Sequence, residues 1–98
     1  MKIISFNVNG IRAITAKSFI QDMIDVNSDI ICLQETKATE EQVKEAVSSL
    51  ADYHVYAHHA DRKGYSGTAI LSKIKPLHVH YKIGMDEHDM EGRTVCLE

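Results

Sequence analysis

Little in this chain of 98 residues suggests a membrane, a disulfide framework or a strongly basic surface. No apolar run approaches the length needed to cross a bilayer, and the first residues lack the basic-then-apolar pattern of a signal peptide. The expectation is an intracellular protein without a targeting extension and with no membrane partner. Cysteine is scarce. Cys32 and Cys96 each lie inside an apolar, strand-like run, which favours reduced core thiols over a disulfide or a metal pair. Positive charge is scarce too, with a formal net charge of −3. Any nucleic-acid function must then rest on local basic residues, on metal ions, or on sequence beyond these residues. The single proline, Pro76, suits the first position of a strand, where its missing N–H does least harm. There is no internal repeat, no low-complexity tract and no linker-like stretch, and the length allows one domain at most.

What is present is an α/β pattern. Lys2 to Val8 reads as a strand with Ile4, Phe6 and Val8 on one face and Ile3, Ser5 and Asn7 on the other. Apolar residues on both faces predict a strand covered from both sides. After a turn at Asn9-Gly10, one helical stripe gathers Ala16, Phe19, Ile20, Met23 and Ile24. Asn27-Ser28-Asp29 breaks it, and Ile30 to Leu33 forms a second, nearly all-apolar strand that ends in Gln34-Glu35. Thr39 and Gln42 have the spacing of a capping box, ahead of a stripe of Val43, Ala46, Val47 and Leu50. Four short strand-like runs follow, at Tyr53 to Ala57, Thr68 to Ser72, Leu77 to Ile83 and Arg93 to Leu97. The order predicts an α/β opening and then a mostly antiparallel meander. The last run continues to Glu98 with no turn or cap after it. The expectation is therefore that residues 1–98 are the N-terminal portion of one longer domain, truncated in mid-strand.

One helix-bearing connection between the first two strands predicts a parallel crossover, which would bring Asn7 and Glu35 to the same C-terminal edge of the sheet. Open α/β sheets place their sites there. A carboxylate ending an apolar strand needs a cation or strong donors to remain charged, and a hard divalent ion such as Mg²⁺ accepts one or two carboxylates plus waters. Glu35 suits that role, and Asn7 could orient it or an attacking water. A helix-capping or turn-capping Glu35 is an equal alternative. Lys37 and Arg12 beside such a site suggest a phosphate-bearing substrate, although a solvated side chain is the default for either. Gly64-Tyr65-Ser66-Gly67 follows Arg62-Lys63 and could approach a phosphate, or it could be a plain hairpin turn. The histidines lack zinc-ligand spacing, and Asp86 to Glu91 lacks the calcium-loop pattern, so neither group predicts a metal site.

The strings "ISFNVNGIRA", "DIICLQETK", "GYSGTAILSK" and "EHDMEGRTVCLE" resemble, in order and spacing, the N-terminal segments of the exonuclease III type of abasic-site DNA endonuclease, within the endonuclease/exonuclease/phosphatase superfamily. The resemblance runs from Lys2 to Glu98. It implies a four-layered α/β sandwich of the DNase I-like kind, with mixed sheets flanked by helices. It also implies a Mg²⁺- or Mn²⁺-dependent hydrolase that cuts double-stranded DNA on the 5′ side of an abasic site, with 3′→5′ exonuclease, 3′-phosphatase and 3′-phosphodiesterase activity as common companions. Carried over, Glu35 matches the metal-binding Glu and Asn7 the active-site Asn, close enough to share the metal. Asn9 matches a position that is Asp or Asn in the family and could sit near the metal as well as the DNA, and Arg12, Lys37, Gly64, Tyr65 and Ser66 match segments that lie along bound DNA. The family's remaining catalytic groups, in a Gly-Asp-[LF]-Asn segment and a closing Ser-Asp-His segment, have no counterpart in these residues, which alone should be inactive.

The same resemblance implies a monomeric full-length protein in the cytoplasm, nucleoid-associated in a bacterium or nuclear in a eukaryote. The isolated 98-residue chain is expected to self-associate. The runner-up readings are a superfamily phosphatase acting on inositol phosphates or sphingolipids, and a non-catalytic interaction module. A DNA-binding adaptor without catalysis is disfavoured by the acidic balance.

Overall fold

The computed structural model describes residues 1–58, 66–76, 79–80 and 96–97. Strands β1 (Ile3–Asn7) and β2 (Ile30–Gln34) run parallel, with Ile3 opposite Ile30 and Asn7 opposite Gln34. A parallel pair requires a crossover, and helices α1 (Ile11–Ile14) and α2 (Phe19–Val26) supply it. Helix α3 (Glu40–Ala46) leads to β3 (His54–His58), which pairs antiparallel with β4 (Thr68–Ser72). β4 sits between β2 and β3, giving a mixed sheet of order β1-β2-β4-β3. β5 (Val79–His80) and β6 (Cys96–Leu97) form a separate antiparallel pair. The strands expected over 77–83 and 93–97 otherwise fall outside the described residues.

The core lies on one face of the sheet. Ile31 and Leu33 of β2 stand beside Leu71 and Ala69 of β4, with Ala57 of β3 next in line. Phe19 and Met23 from α2 join them, as do Val43, Val47 and Leu50 from α3 and the residues after it. The capping box forms as its spacing predicts: Gln42 N–H donates to Thr39 Oγ1 at 3.2 Å, and Thr39 N–H donates to Gln42 Oε1 at 2.9 Å. Such a cap contributes about 1 kcal/mol and fixes where α3 begins after the β2 loop.

Two expectations need correction. β1 is not covered on both sides: Ile3 is 58% and Phe6 41% exposed, and Ser5 and Asn7 are exposed. It is the edge strand of its sheet, so only β2 flanks it among the described residues. Alternation shows which faces are apolar, not whether anything lies over them. Nor is there one helix between β1 and β2. Ala16 N–H donates to Ala13 C=O and Lys17 N–H to Ile14 C=O, a tightened i−3 pattern that ends α1 before Ser18 starts α2. The break rotates the stripe, leaving Ala16 exposed and Ile24 49% exposed. Ile11, fully buried, takes a core place that the stripe had not assigned.

Candidate active-site edge

Three segments converge where β1 and β2 end and β4 begins, because β4 runs against β2 with Thr68 opposite Gln34. Backbone bonds tie the segments together. Val8 N–H donates to Gln34 C=O at 3.0 Å, Gly10 N–H to Glu35 C=O at 2.8 Å and Ile11 N–H to Thr36 C=O at 3.0 Å. On the other side, Thr36 N–H donates to Gly67 C=O at 3.1 Å and Lys37 N–H to Ser66 C=O at 2.6 Å. The β2–α3 turn is therefore clamped between the β1–α1 turn and the start of β4.

The register brings most of the sequence-predicted residues to this edge. Asn7 ends β1 opposite Gln34, and Glu35 follows immediately, exposed. Asn7 Oδ1 accepts the Asn9 N–H at 3.0 Å, an Asx-type bond that turns the chain. Asn9 takes a left-handed φ of 47°, which Asn tolerates, and Gly10 follows at φ 98°, which glycine alone adopts freely. Lys37 Nζ donates to Asn9 Oδ1 at 2.7 Å, and Arg12 Nη2 donates to Lys37 C=O at 3.4 Å. A groove of about 420 Å³ is lined by Asn9, Gly10, Arg12, Ala13 and Lys37, so both cations border one cleft. Ser66 reaches the edge through its carbonyl. Gly64 and Tyr65 lie outside the described residues.

Among the described residues, no three His, Cys, Asp or Glu side chains gather in one place. A hard divalent cation needs no such cage, since it takes one or two carboxylates, neutral oxygens and several waters. Glu35 and the amide oxygen of Asn7, on neighbouring strand ends, are oxygen donors of the kind and number that such an ion takes from a protein. Cys32 lies on β2, half-buried, and burial pushes its thiol up from the ordinary value. A thiol held protonated is a poor nucleophile, and Cys32 stands in the middle of β2, not at its end. Sequence reasoning missed Thr36, which is fully buried, and the left-handed backbone at Glu35 and Lys37. Glu and Lys carry no propensity for that geometry, so no sequence signal could have shown it.

Residues 4–97 match the Endonuclease/Exonuclease/phosphatase family. The chain belongs to that family. It is 52% identical over 99 residues to an exodeoxyribonuclease of Bacillus subtilis, covering 100% of this chain and 38% of that protein. It is 44% identical over 100 residues to the DNA repair nuclease APEX1 of Danio rerio, covering 100% of this chain and 32% of that one. Among solved structures, an AP endonuclease from Archaeoglobus fulgidus superposes with a TM-score of 0.81 at 33% identity, over 97% of this chain and 35% of that one. The chain thus spans about a third of the length of each of these three proteins. The mixed sheet with flanking helices is the DNase I-like α/β fold of these neighbours.

Proposed function

We propose that this chain is the N-terminal portion of a metal-dependent DNA-repair nuclease that hydrolyses the phosphodiester backbone 5′ to abasic sites. The observation that carries the reading is the parallel β1–β2 register, which leaves Asn7 and Glu35 at one edge beside the Lys37–Asn9 contact and Arg12. The names of the relatives support it: they are DNA nucleases, not phosphatases of small molecules. In this reading Glu35 and Asn7 hold a divalent ion, Mg²⁺ or Mn²⁺, which when bound supplies charge for a developing phosphoryl anion. Lys37 and Arg12 draw the DNA phosphates into the groove, and Asn9 keeps the Lys37 ammonium in place. Gly64, Tyr65 and Ser66 belong to a segment that runs along the DNA. The rest of the catalytic groups are supplied by the remainder of the protein, which acts as a monomer in the cytoplasm or nucleus, while the isolated chain self-associates and is inactive.

The test is cleavage of a duplex carrying one abasic-site analogue by the full-length protein. Incision 5′ to the lesion is expected, abolished by chelation and restored by Mg²⁺. Turnover of inositol phosphates or sphingolipids without DNA incision would establish the phosphatase alternative instead.

A further inference from the structure

Thr36 sits between two left-handed residues, Glu35 at φ 54° and Lys37 at φ 53°. That backbone is unfavourable for both and persists only where the surroundings over-determine it. Thr36 is itself fully buried, and its Oγ1 has no hydrogen-bond partner. A buried, unpaired hydroxyl is a worse choice than an apolar group of the same shape, unless the smaller oxygen is needed for fit. Gly67 supplies that need. A Cβ placed on Gly67 would lie 2.4 Å from Thr36 Oγ1 and 3.3 Å from Lys37 N, so the hydroxyl fills the room that the glycine leaves. Gly67 also has φ 97°, where any side chain would be strained. The backbone closes around the contact through Thr36 N–H to Gly67 C=O on one side and Ile11 N–H to Thr36 C=O on the other.

We infer that Thr36 and Gly67 are an interlocked pair of positioning residues. Seated against Gly67, the Thr36 side chain fixes the left-handed turns at Glu35 and Lys37, and so sets the stance of the carboxylate and the ammonium on either side. The inference rests on the nuclease reading of Glu35 and Lys37. It gives neither Thr36 nor Gly67 a contact with DNA or metal. A rigid seat matters because a misplacement of about 1 Å at reacting groups can cost on the order of 100-fold in rate.

The experiment compares Gly67→Ala, Thr36→Ala, Thr36→Ser and the double variant Gly67→Ala/Thr36→Ala in the full-length protein. Backbone HN–Hα couplings of Glu35 and Lys37 report the turn, and steady-state incision of abasic duplex reports its use. Gly67→Ala should shift the couplings, lower kcat on the order of 10- to 100-fold through Glu35, and raise KM for DNA by no more than the roughly tenfold that loss of Lys37 would cause. Thr36→Ala should do the same to a smaller degree, and Thr36→Ser, which keeps the oxygen, should restore both. The double variant should be less impaired than Gly67→Ala alone, because the atom that the new Cβ strikes is gone. Equal losses from Gly67→Ala in both backgrounds, or unchanged couplings in Thr36→Ala, would overturn the interlock. Shifted couplings with wild-type kcat would overturn the positioning role. A wild-type protein that incises nothing would fail the nuclease reading, while the couplings and the same cycle in thermal stability would still decide the interlock.

Discussion

At one end of the four-stranded sheet, six described residues have positive φ: Asn9, Gly10, Glu35, Lys37, Ser66 and Gly67. At the other end there is one, Asn27, which closes α2 in the ordinary left-handed cap by donating its N–H to Met23 C=O. Both ends bind three chain segments together. At the Asn27 end, Lys2 N–H donates to Asp29 Oδ2 at 2.7 Å, Asp29 N–H to Lys2 C=O at 2.8 Å and Lys73 N–H to Asp29 C=O at 3.0 Å. Tyr53 Oη donates to Ser28 C=O, Lys73 Nζ donates to Asn27 Oδ1, and the Lys73 ammonium lies 5.6 Å from the centre of the Tyr53 ring. Each end also buries one unpartnered hydroxyl, Ser28 or Thr36. The difference is strain. One end is knotted in relaxed geometry, whereas the other holds Glu35 and Lys37 in backbone that costs roughly 1–2 kcal/mol per residue. Strain is concentrated beside exposed polar groups at the end where we place the nuclease site, and the other end is joined by unstrained contacts.

The comparison breaks most sharply at Glu35. Glu35→Ala in the full-length protein should lower Mg²⁺-dependent incision by about 100-fold or more, because a lost metal ligand removes charge stabilisation in the transition state. Its metal-free stability should change by less than about 0.5 kcal/mol, since the residue is exposed and alanine meets the same left-handed strain. Incision at the wild-type rate would return Glu35 to a capping role and leave the strain without a purpose.

The residues gathered at the site end were legible in the sequence, the strain that sets that end apart was not, and the reasons differ by residue. The end of β2 at Gln34 followed from an apolar run meeting polar residues, the first strand, read over 2–8, ends one residue earlier at Asn7, and the capping box at Thr39 followed from its spacing. The parallel crossover followed from one helical stretch between two strands, so the shared edge of Asn7 and Glu35 could be read. What could not be read depends on neighbours distant in sequence. Among the described residues β1 is an edge strand because no strand pairs with the side that faces away from β2. Glu35 and Lys37 are left-handed only because Ser66, Gly67, Gly10 and Ile11 grip the turn between them.

Lys37 should give a smaller effect of a different kind. Lys37→Ala removes the 2.7 Å contact with Asn9 and one cation from the groove. Affinity for abasic duplex should weaken by about tenfold, and the slope of log affinity against log salt should fall by about 1 if the ammonium meets one phosphate. Measuring KM at several salt concentrations checks this, and an unchanged slope would remove Lys37 from the DNA path.

Tyr53→Phe probes the relaxed end, where the change should fall on stability and not on turnover. The substitution deletes the donor to Ser28 C=O and should cost about 1 kcal/mol, read from denaturant midpoints, with incision unaltered. The tyrosine also carries a pH signature. Burial raises the phenol above its ordinary value of 10.0, and the carboxylates of Asp29 and Asp52 add to the rise. The folded state therefore favours the neutral phenol more than the unfolded state does. Its contribution is whole below pH 10 and is lost as pH climbs through the higher folded value, because the unfolded chain releases its proton first. The stability gap between wild type and Tyr53→Phe should then stay flat through neutral pH and narrow above about pH 10. A gap that holds constant to pH 11 would mean that the phenol titrates alike in both states and that the hydroxyl is not seated at Ser28.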